Sequence, residues 1–403
     1  MSVRLLYVTP YGFDDRLRNF PEFVIGRRLA KEGWDVSACT LTEAPCTRRE
    51  RVDGITVHRL RGPIDRLPRL ALLFLRHRPE LVHVFHLRNP LAVPATLLAR
   101  ALRVPLVFSE PGLLHDPFLV RDRDDPLSGE LSPQRVVLGV RGLLASRGPQ
   151  PVAERLQSFL YHLPLAAADR VIFLSRHNLD VASRIGLDGA SWLPCVVDAE
   201  RWREAQAGLL DPAGEQNLPD GAFALWVGQL KLRKGWDLVL RAIPEVPRSV
   251  CPAFVFVSPT HPEMPPHFRR QVEALGIADR VRYLSRVPNS VLLRLYRGAR
   301  AVLIPSRYEG FGLPMLEAFE TGAPVVATDV PAINEVVRHG ENGYLVAPGD
   351  PSALASGLVR VLADEALRRR MVEGGRATLE SHRVEQRIGE WIALYREVRA
   401  SRA

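Results

Sequence analysis

Apolar residues come in short blocks along this chain, and most of the stretches between them have helical spacing. Val3–Thr9 is an apolar run closed by Pro10-Tyr11-Gly12, a turn signal. Phe20–Lys31 places its apolar residues at helical intervals and stops at Gly33. Asp35–Thr40, Ile55–Leu60 and Leu81–Phe85 predict strands. A helical stretch runs from about Pro90 to Leu102, and Val104–Ser109, Arg170–Ser175 and Ala190–Leu193 continue the strand series. Strands separated by helices of this length predict βαβ units around a parallel sheet.

Two stretches break the alternation. Residues 116–150 are charged and rich in proline, glycine and serine, and a connection that long inside a domain is usually functional or mobile. Residues 199–221 are polar and turn-rich and predict a linker. The alternation then restarts with a strand at Phe223–Val227 and a helix from Trp236. Phe254–Val257, Val281–Leu284, Ala301–Pro305, Pro324–Thr328 and Tyr344–Val346 are the later strands. The expected organisation is therefore an N-terminal domain over 1–198, a linker over 199–221 and a C-terminal domain over 222–378. A helix over 379–403 carries Trp391 and Tyr395 as its docking residues.

Composition narrows the class. The 403 residues are 46% apolar and 25% charged, which excludes intrinsic disorder. No apolar run approaches the ~20 residues of a membrane helix, and MSVRLLYVTP has no signal-peptide core. Cys39, Cys46, Cys195 and Cys251 form no C-x-x-C pair, so the expectation is reduced thiols in a cytoplasmic protein. The net charge of +9 is spread evenly: 27 basic against 22 acidic residues through residue 200, and 27 against 23 beyond. Nucleic-acid binders concentrate such charge on one face, so none is expected here. Nearly all the basic residues are arginine. The lysines are Lys31, Lys231 and Lys234, and two of the three stand three positions apart.

Those two lysines sit in Val227–Gly235 (VGQLKLRKG), between a predicted strand and a predicted helix. Backbone N–H groups at such a crossing favour an anion such as phosphate, and Lys234 and Arg233 would add cations. An ordinary loop with solvated charge is the plainer alternative. A second segment, Arg307–Val346, places Glu309-Gly310-Phe311-Gly312 in the loop after the strand at 301–305. Pro314 fits the first position of the following helix and Gly322 ends it, so Glu317 falls in the second turn. Two carboxylates flanking a helix N-terminus suit polyol hydroxyls plus a phosphate. Gly310 and Gly312 permit close backbone approach. A capped helix with two surface glutamates is the alternative.

Glu309-Gly-Phe-Gly-Leu-Pro-Met-Leu-Glu317, with Glu317-Ala-Phe-Glu-Thr-Gly-Ala-Pro-Val-Val-Ala-Thr after it, resembles the E-x7-E signature of glycosyltransferase family 4. Gly228–Gly235 resembles that family's G-R-x4-K-G element, and Ala168–Ile172 with Ser175 resembles its interdomain segment. The resemblance implies a GT-B fold, two Rossmann-like α/β domains facing across a cleft. It also implies that the N-terminal one lies on the acceptor side, that the C-terminal one binds the nucleotide-sugar, and that the 379–403 helix crosses back to the N-terminal domain. It implies a retaining transfer of sugar from a nucleotide-sugar to an acceptor (a glycan, a lipid-linked acceptor or a small molecule), with no metal and no cofactor. By the same resemblance Lys234 and Glu309 carry the chemistry. Gly228, Gln229, Arg233, Gly310, Phe311, Gly312 and Leu313 join them around the donor, and Glu317 holds the ribose.

The sequence departs from the family pattern at Gln229, where arginine is usual. It also departs at the opening loop (Tyr11-Gly12-Phe13-Asp14-Asp15) and at Glu110, where histidine is common. Gly12, His86, Glu110 and His115 are the expected acceptor-side residues. Two alternatives stay open: a non-catalytic nucleotide-sugar-binding homologue, and a metal-dependent transferase using Asp122 and Asp124. His83-x-x-His86 reads as core or acceptor-facing rather than as a metal pair, because i and i+3 on a strand point to opposite faces. Finally, Arg59–Arg78 holds six arginines, one aspartate and a Leu/Phe block. A buried helix with a solvated face is one reading. The other is peripheral contact with an anionic membrane at its inner face.

Overall fold

The computed structural model describes residues 2–10, 20–42, 49–61, 66–87, 89–110, 152–187, 189–200, 221–259 and 263–402. Gly12, His115, Asp122 and Asp124, with most of the expected linker and the whole of 116–150, lie outside the described residues. The chain divides into two units: residues 1–196 with 384–403, and residues 197–383.

The first unit contains β1 (Arg4–Val8), α1 (Pro21–Lys31), β2 (Asp35–Leu41), β3 (Arg49–Val52), β4 (Ile55–Leu60) and α2 (Arg66–His77). It continues with β5 (Leu81–Phe85), α3 (Ala92–Ala101), β6 (Leu106–Glu110), α4 (Val152–Ala167), β7 (Arg170–Phe173), α5 (Arg176–Arg184) and β8 (Ala190–Trp192). The sheet order is β3-β4-β2-β1-β5-β6-β7-β8, parallel except for the β3–β4 hairpin. Neither β3 nor its hairpin was expected. Asp53 (φ 49°) and Gly54 (φ 86°) turn the chain in two left-handed residues, the geometry a two-residue hairpin favours. Burial on both faces explains the continuous apolar runs. Along β1, Leu5 and Tyr7 join one core layer, and Leu6 and Val8 join the other.

The second unit contains β9 (Phe223–Val227), a 3-10 turn (Leu232–Lys234), α6 (Trp236–Ala242), β10 (Ala253–Ser258) and α7 (Pro266–Ala274). After these come β11 (Val281–Ser285), α8 (Asn289–Gly298), β12 (Ala301–Ile304), α9 (Leu313–Thr321) and β13 (Val325–Thr328). β14 (Tyr344–Val346), α10 (Pro351–Ala363) and α11 (Glu365–Glu380) complete it. Its sheet is wholly parallel in the order β11-β10-β9-β12-β13-β14. Both sheets run outward in two directions from their first strand. This doubly wound layout puts a switch point between β1 and β5 in one unit and between β9 and β12 in the other.

The C-terminal segment is two helices, not one helix over 379–403. Helix α11 ends at Glu380, and α12 (Val384–Ala400) follows after a short turn. Helix α12 packs on α1 within the first unit, and Trp391 and Tyr395 are fully buried there.

Candidate active site

Two loops meet at the C-terminal ends of β9 and β12, neighbouring strands at the switch point of the second sheet. Ligands of open α/β sheets bind in the crevice at such a point. The first loop leaves β9 through Gly228, whose N–H donates to Val257 O at 3.0 Å. It then winds through the 3-10 turn and ends at Gly235 (φ 67°). A Cβ at Gly235 would stand 1.9 Å from the carbonyl oxygen of Pro305, so only glycine lets the two loops close on each other.

Arg307 ties the loops together. Its N–H donates to Arg233 O (2.8 Å), and Nη1 donates to Leu232 O (2.6 Å). Its two terminal nitrogens grip the Asp237 carboxylate at 2.6 Å each. This bidentate pair is nearly buried at both ends. On the other side, Trp226 Nε1 donates to Lys234 O at 3.1 Å. Lys234 therefore projects from a turn fixed at several points.

The second loop carries Glu309, which is 4% exposed. Ser306 Oγ donates to Glu309 Oε1 at 2.8 Å, and Thr328 Oγ1 donates to Ser306 O. Lys234 Nζ donates to the same Oε1, and Arg233 Nη1 lies 3.7 Å from Oε2. Burial drives the Lys234 ammonium down to about 8, against the opposing pull of Glu309 and with help from the neighbouring charge of Arg233. Burial likewise resists charge on Glu309, but Lys234 and Arg233 outweigh it and hold the carboxyl below its usual range.

Gly312 (φ 93°) caps α9, whose first residue is Leu313. Pro314 takes the second position rather than the first. Pro314 has no N–H and the Met315 N–H donates to Gly312 O at 2.9 Å, so of the first three residues only Leu313 offers an N–H with no partner inside the helix. Gly310, Phe311 and Gly312 are buried in that loop. Glu317, eight residues beyond Glu309, is also buried and accepts a hydrogen bond from Tyr296 at 2.7 Å. Burial and the Glu317 charge raise the Tyr296 hydroxyl well above its ordinary value. Lys234, Arg233 and Glu309 thus converge, Gly228 and Gln229 lie at the base of the first loop, and Glu317, on α9, is held by Tyr296. Sequence reasoning assigned no role to Arg307, Asp237, Ser306 or Tyr296. The only available signal was an aspartate two residues beyond Gly235.

In the first unit, Thr9, His86 and Glu110 follow or end β1, β5 and β6 at the other switch point. His86 (φ 64°) places Nε2 3.3 Å from Glu22 Oε1, and Thr9 Oγ1 lies 3.5 Å from the same oxygen. Glu110, the last residue of β6 rather than the residue after it, accepts the Leu87 N–H at 2.7 Å. Burial alone would lower the His86 imidazole. The bond to Glu22 and the charges of Glu22 and Glu110 raise it overall. His83 is a core residue: Nδ1 meets Tyr395 Oη and Nε2 meets Ser109 Oγ, each at 2.7 Å. Both nitrogens are engaged, so the two histidines form no metal pair.

The chain is thus built as two doubly wound units, with charged loops at the switch point of the second. Residues 24–193 match the glycosyl transferase 4-like domain, and residues 212–378 match glycosyl transferases group 1. A D-inositol 3-phosphate glycosyltransferase of Frankia alni is 31% identical over 383 residues, covering 88% of each chain. The corresponding protein of Salinispora tropica is 33% identical over 222 residues, 53% of this chain and 45% of its own. Among solved structures, sucrose-phosphate synthase from Thermosynechococcus elongatus superposes with a TM-score of 0.73 at 22% identity, covering 99% of this chain and 100% of its own. HepE from Anabaena, in complex with UDP-glucose, gives 0.67 at 17% identity, covering 97% and 100%. The chain belongs to glycosyltransferase family 4.

Proposed function

We propose that the chain moves a sugar from a nucleoside-diphosphate sugar to an acceptor with retained anomeric configuration and without a metal. The observation that carries this is the grouping of the partly buried Lys234 and Arg233 with the buried Glu309 at the switch point. Two cations face one carboxylate, which leaves an excess positive charge in a site where water screens it poorly. A diphosphate leaving group supplies the missing negative charge. Lys234 then stabilises the charge that develops as the bond from C1 to the phosphate oxygen breaks. The acceptor oxygen bonds to C1 on the same face, and its proton passes to the departing phosphate. No side chain is assigned as general base.

Glu309 would exchange its hold on Lys234 for hydroxyls of the donor sugar. Glu317, held by Tyr296, would accept the ribose hydroxyls. Gly310, Phe311, Gly312 and Leu313 would present the helix N-terminus to the diphosphate, with Gly228, Gln229 and Arg233 completing the donor contacts. His86 and Glu110 are proposed for the acceptor side.

The UDP-glucose bound to HepE makes UDP-sugars the first donors to test, followed by GDP-, ADP- and TDP-sugars. Inositol 3-phosphate, carried in the name of the relatives, is the first acceptor. The experiment follows nucleoside diphosphate release in EDTA and reads the anomeric configuration of the product by NMR. Retention with full rate in EDTA is expected. Inversion, or loss of rate in EDTA restored by a divalent ion, would contradict the reading.

A further inference from the structure

Large apolar side chains exposed in the described structure fall on one face. Helix α2 exposes Leu67 (57%), Leu72 and Leu75 (61%). Leu97 on α3 and Leu102 just after it are exposed too, as are Leu156 and Leu160 on α4. No other large apolar residue is exposed among the described residues. The buried sides of α2, α3 and α4 enter the same core layer of the first sheet, and α3 touches both of the others. Their outer sides therefore lie on the same side of that sheet, with α3 between the other two.

Helix α2 shows how unusual that surface is. At about 100° per residue, Leu67, Pro68, Ala71, Leu72 and Leu75 occupy one arc of about 140°, with no polar residue inside it. Leu70, Leu73 and Phe74 occupy another arc and are buried. The helix is thus apolar toward the core and toward solvent, with Arg69 and Arg76 on one flank and Arg66 and His77 at its two ends within the buried arc. A soluble surface helix is normally polar on its outer side. Apolar surface of this extent marks a binding face.

The charge around the face identifies what binds. Helices α2 and α3 carry Arg66, Arg69, Arg76 and Arg100 (the last paired with Asp169) and no acidic residue, Glu80 follows α2, and α4 carries Glu154 and Arg155. Glu80 is itself engaged by Arg4 and Arg399. Arg76 and Arg103 are exposed and directly follow the exposed Leu75 and Leu102, and Arg78 is exposed as well. No helix among the described residues is long and apolar enough to cross a membrane. Leucines that enter the acyl boundary, rimmed by arginines that meet phosphate headgroups, fit an anionic bilayer lying against the surface.

We infer that the α2–α3–α4 face of the first unit docks on an anionic membrane surface. The inference extends the expectation for 59–78 from one segment, of which 62–65 lie outside the described residues, to three helices. It does not depend on the donor-site reading.

The test is co-sedimentation of the full chain with vesicles of equal parts phosphatidylglycerol and phosphatidylcholine, against vesicles of phosphatidylcholine alone. The chain should pellet with the anionic vesicles and much less with the neutral ones. Combining Leu67→Gln, Leu75→Gln and Leu97→Gln should weaken that binding at least ~10-fold with no loss of melting temperature, because all three leucines are exposed. Arg76→Glu with Arg103→Glu keeps every leucine and should abolish the preference for anionic vesicles. This second variant decides the matter if the leucine variant fails to fold. Failure of the wild-type chain to pellet, equal pelleting with both vesicle types, or unchanged binding by the folded variants would overturn the inference. So would a dimer in sedimentation velocity that the leucine variant dissociates, because the face would then join two copies of the chain.

Discussion

Burial and pairing pull Lys234 in opposite directions. Burial pushes its ammonium down to about 8, while Glu309 works to keep the proton on. The proposed role needs the protonated form, so the active fraction of free enzyme falls as pH rises through about 8. The kcat/KM profile reports the free enzyme and should show this alkaline limb. Lys234→Arg keeps its charge to much higher pH and should remove the limb, whatever it does to the maximum rate. A limb that survives in Lys234→Arg would assign the titration to another group. Lys234→Ala and Glu317→Ala should each lower kcat/KM at least ~10-fold, about 1.4 kcal/mol of transition-state stabilisation. Lys234 was legible because lysine is so rare in this chain and because a strand–loop–helix pattern surrounds it. Its short link to Glu309 was not, since nothing local joins positions 75 residues apart.

At the scale of elements, the loops after β9 and β12 act as one unit because Arg307 and Gly235 lock them. A buried ion pair that loses one partner typically costs about 3–5 kcal/mol. Asp237→Ala should therefore lower the melting temperature and also weaken donor binding, since the turn holding Lys234 would loosen. Arg307→Lys retains a charge but loses the two-pronged grip. It should raise KM for the donor more than it lowers the melting temperature. Gly235→Ala drives a methyl group into the Pro305 carbonyl at a left-handed φ and should impair both stability and turnover severely. Thermal melts and donor titrations check all three. The strands and the start of the Trp236 helix were read from apolar blocks and glycine or proline punctuation to within a residue or two. The β3 edge strand was missed because RERV has one apolar residue in four and lies at the sheet margin. The signal present was the Asp53-Gly54 turn.

At the scale of the whole molecule, the last helix returns to the first unit. There Tyr395 Oη joins a buried hydrogen-bond network with His83, Ser109 and Tyr7. Burial holds His83 well below 6.5, so the folded state keeps it neutral while the unfolded chain protonates it. The unfolded state then binds the extra proton, and the stability of this network is lost as pH falls below about 6.5. Tyr395→Phe leaves His83 Nδ1 buried without that partner and should cost about 1–3 kcal/mol, read as a lower denaturant midpoint. Trp391 and Tyr395 were legible as docking residues from size and position. The partner His83 was not, because 312 residues separate it from Tyr395.

The central claim, that Lys234 stabilises a departing diphosphate, is tested most directly by nucleoside diphosphate release with the best donor and acceptor pair. The comparison is wild-type chain against Lys234→Ala at pH 7 in EDTA. Retained folding with release slowed at least ~10-fold is the expected result. Release at the wild-type rate by a folded Lys234→Ala chain would contradict the account.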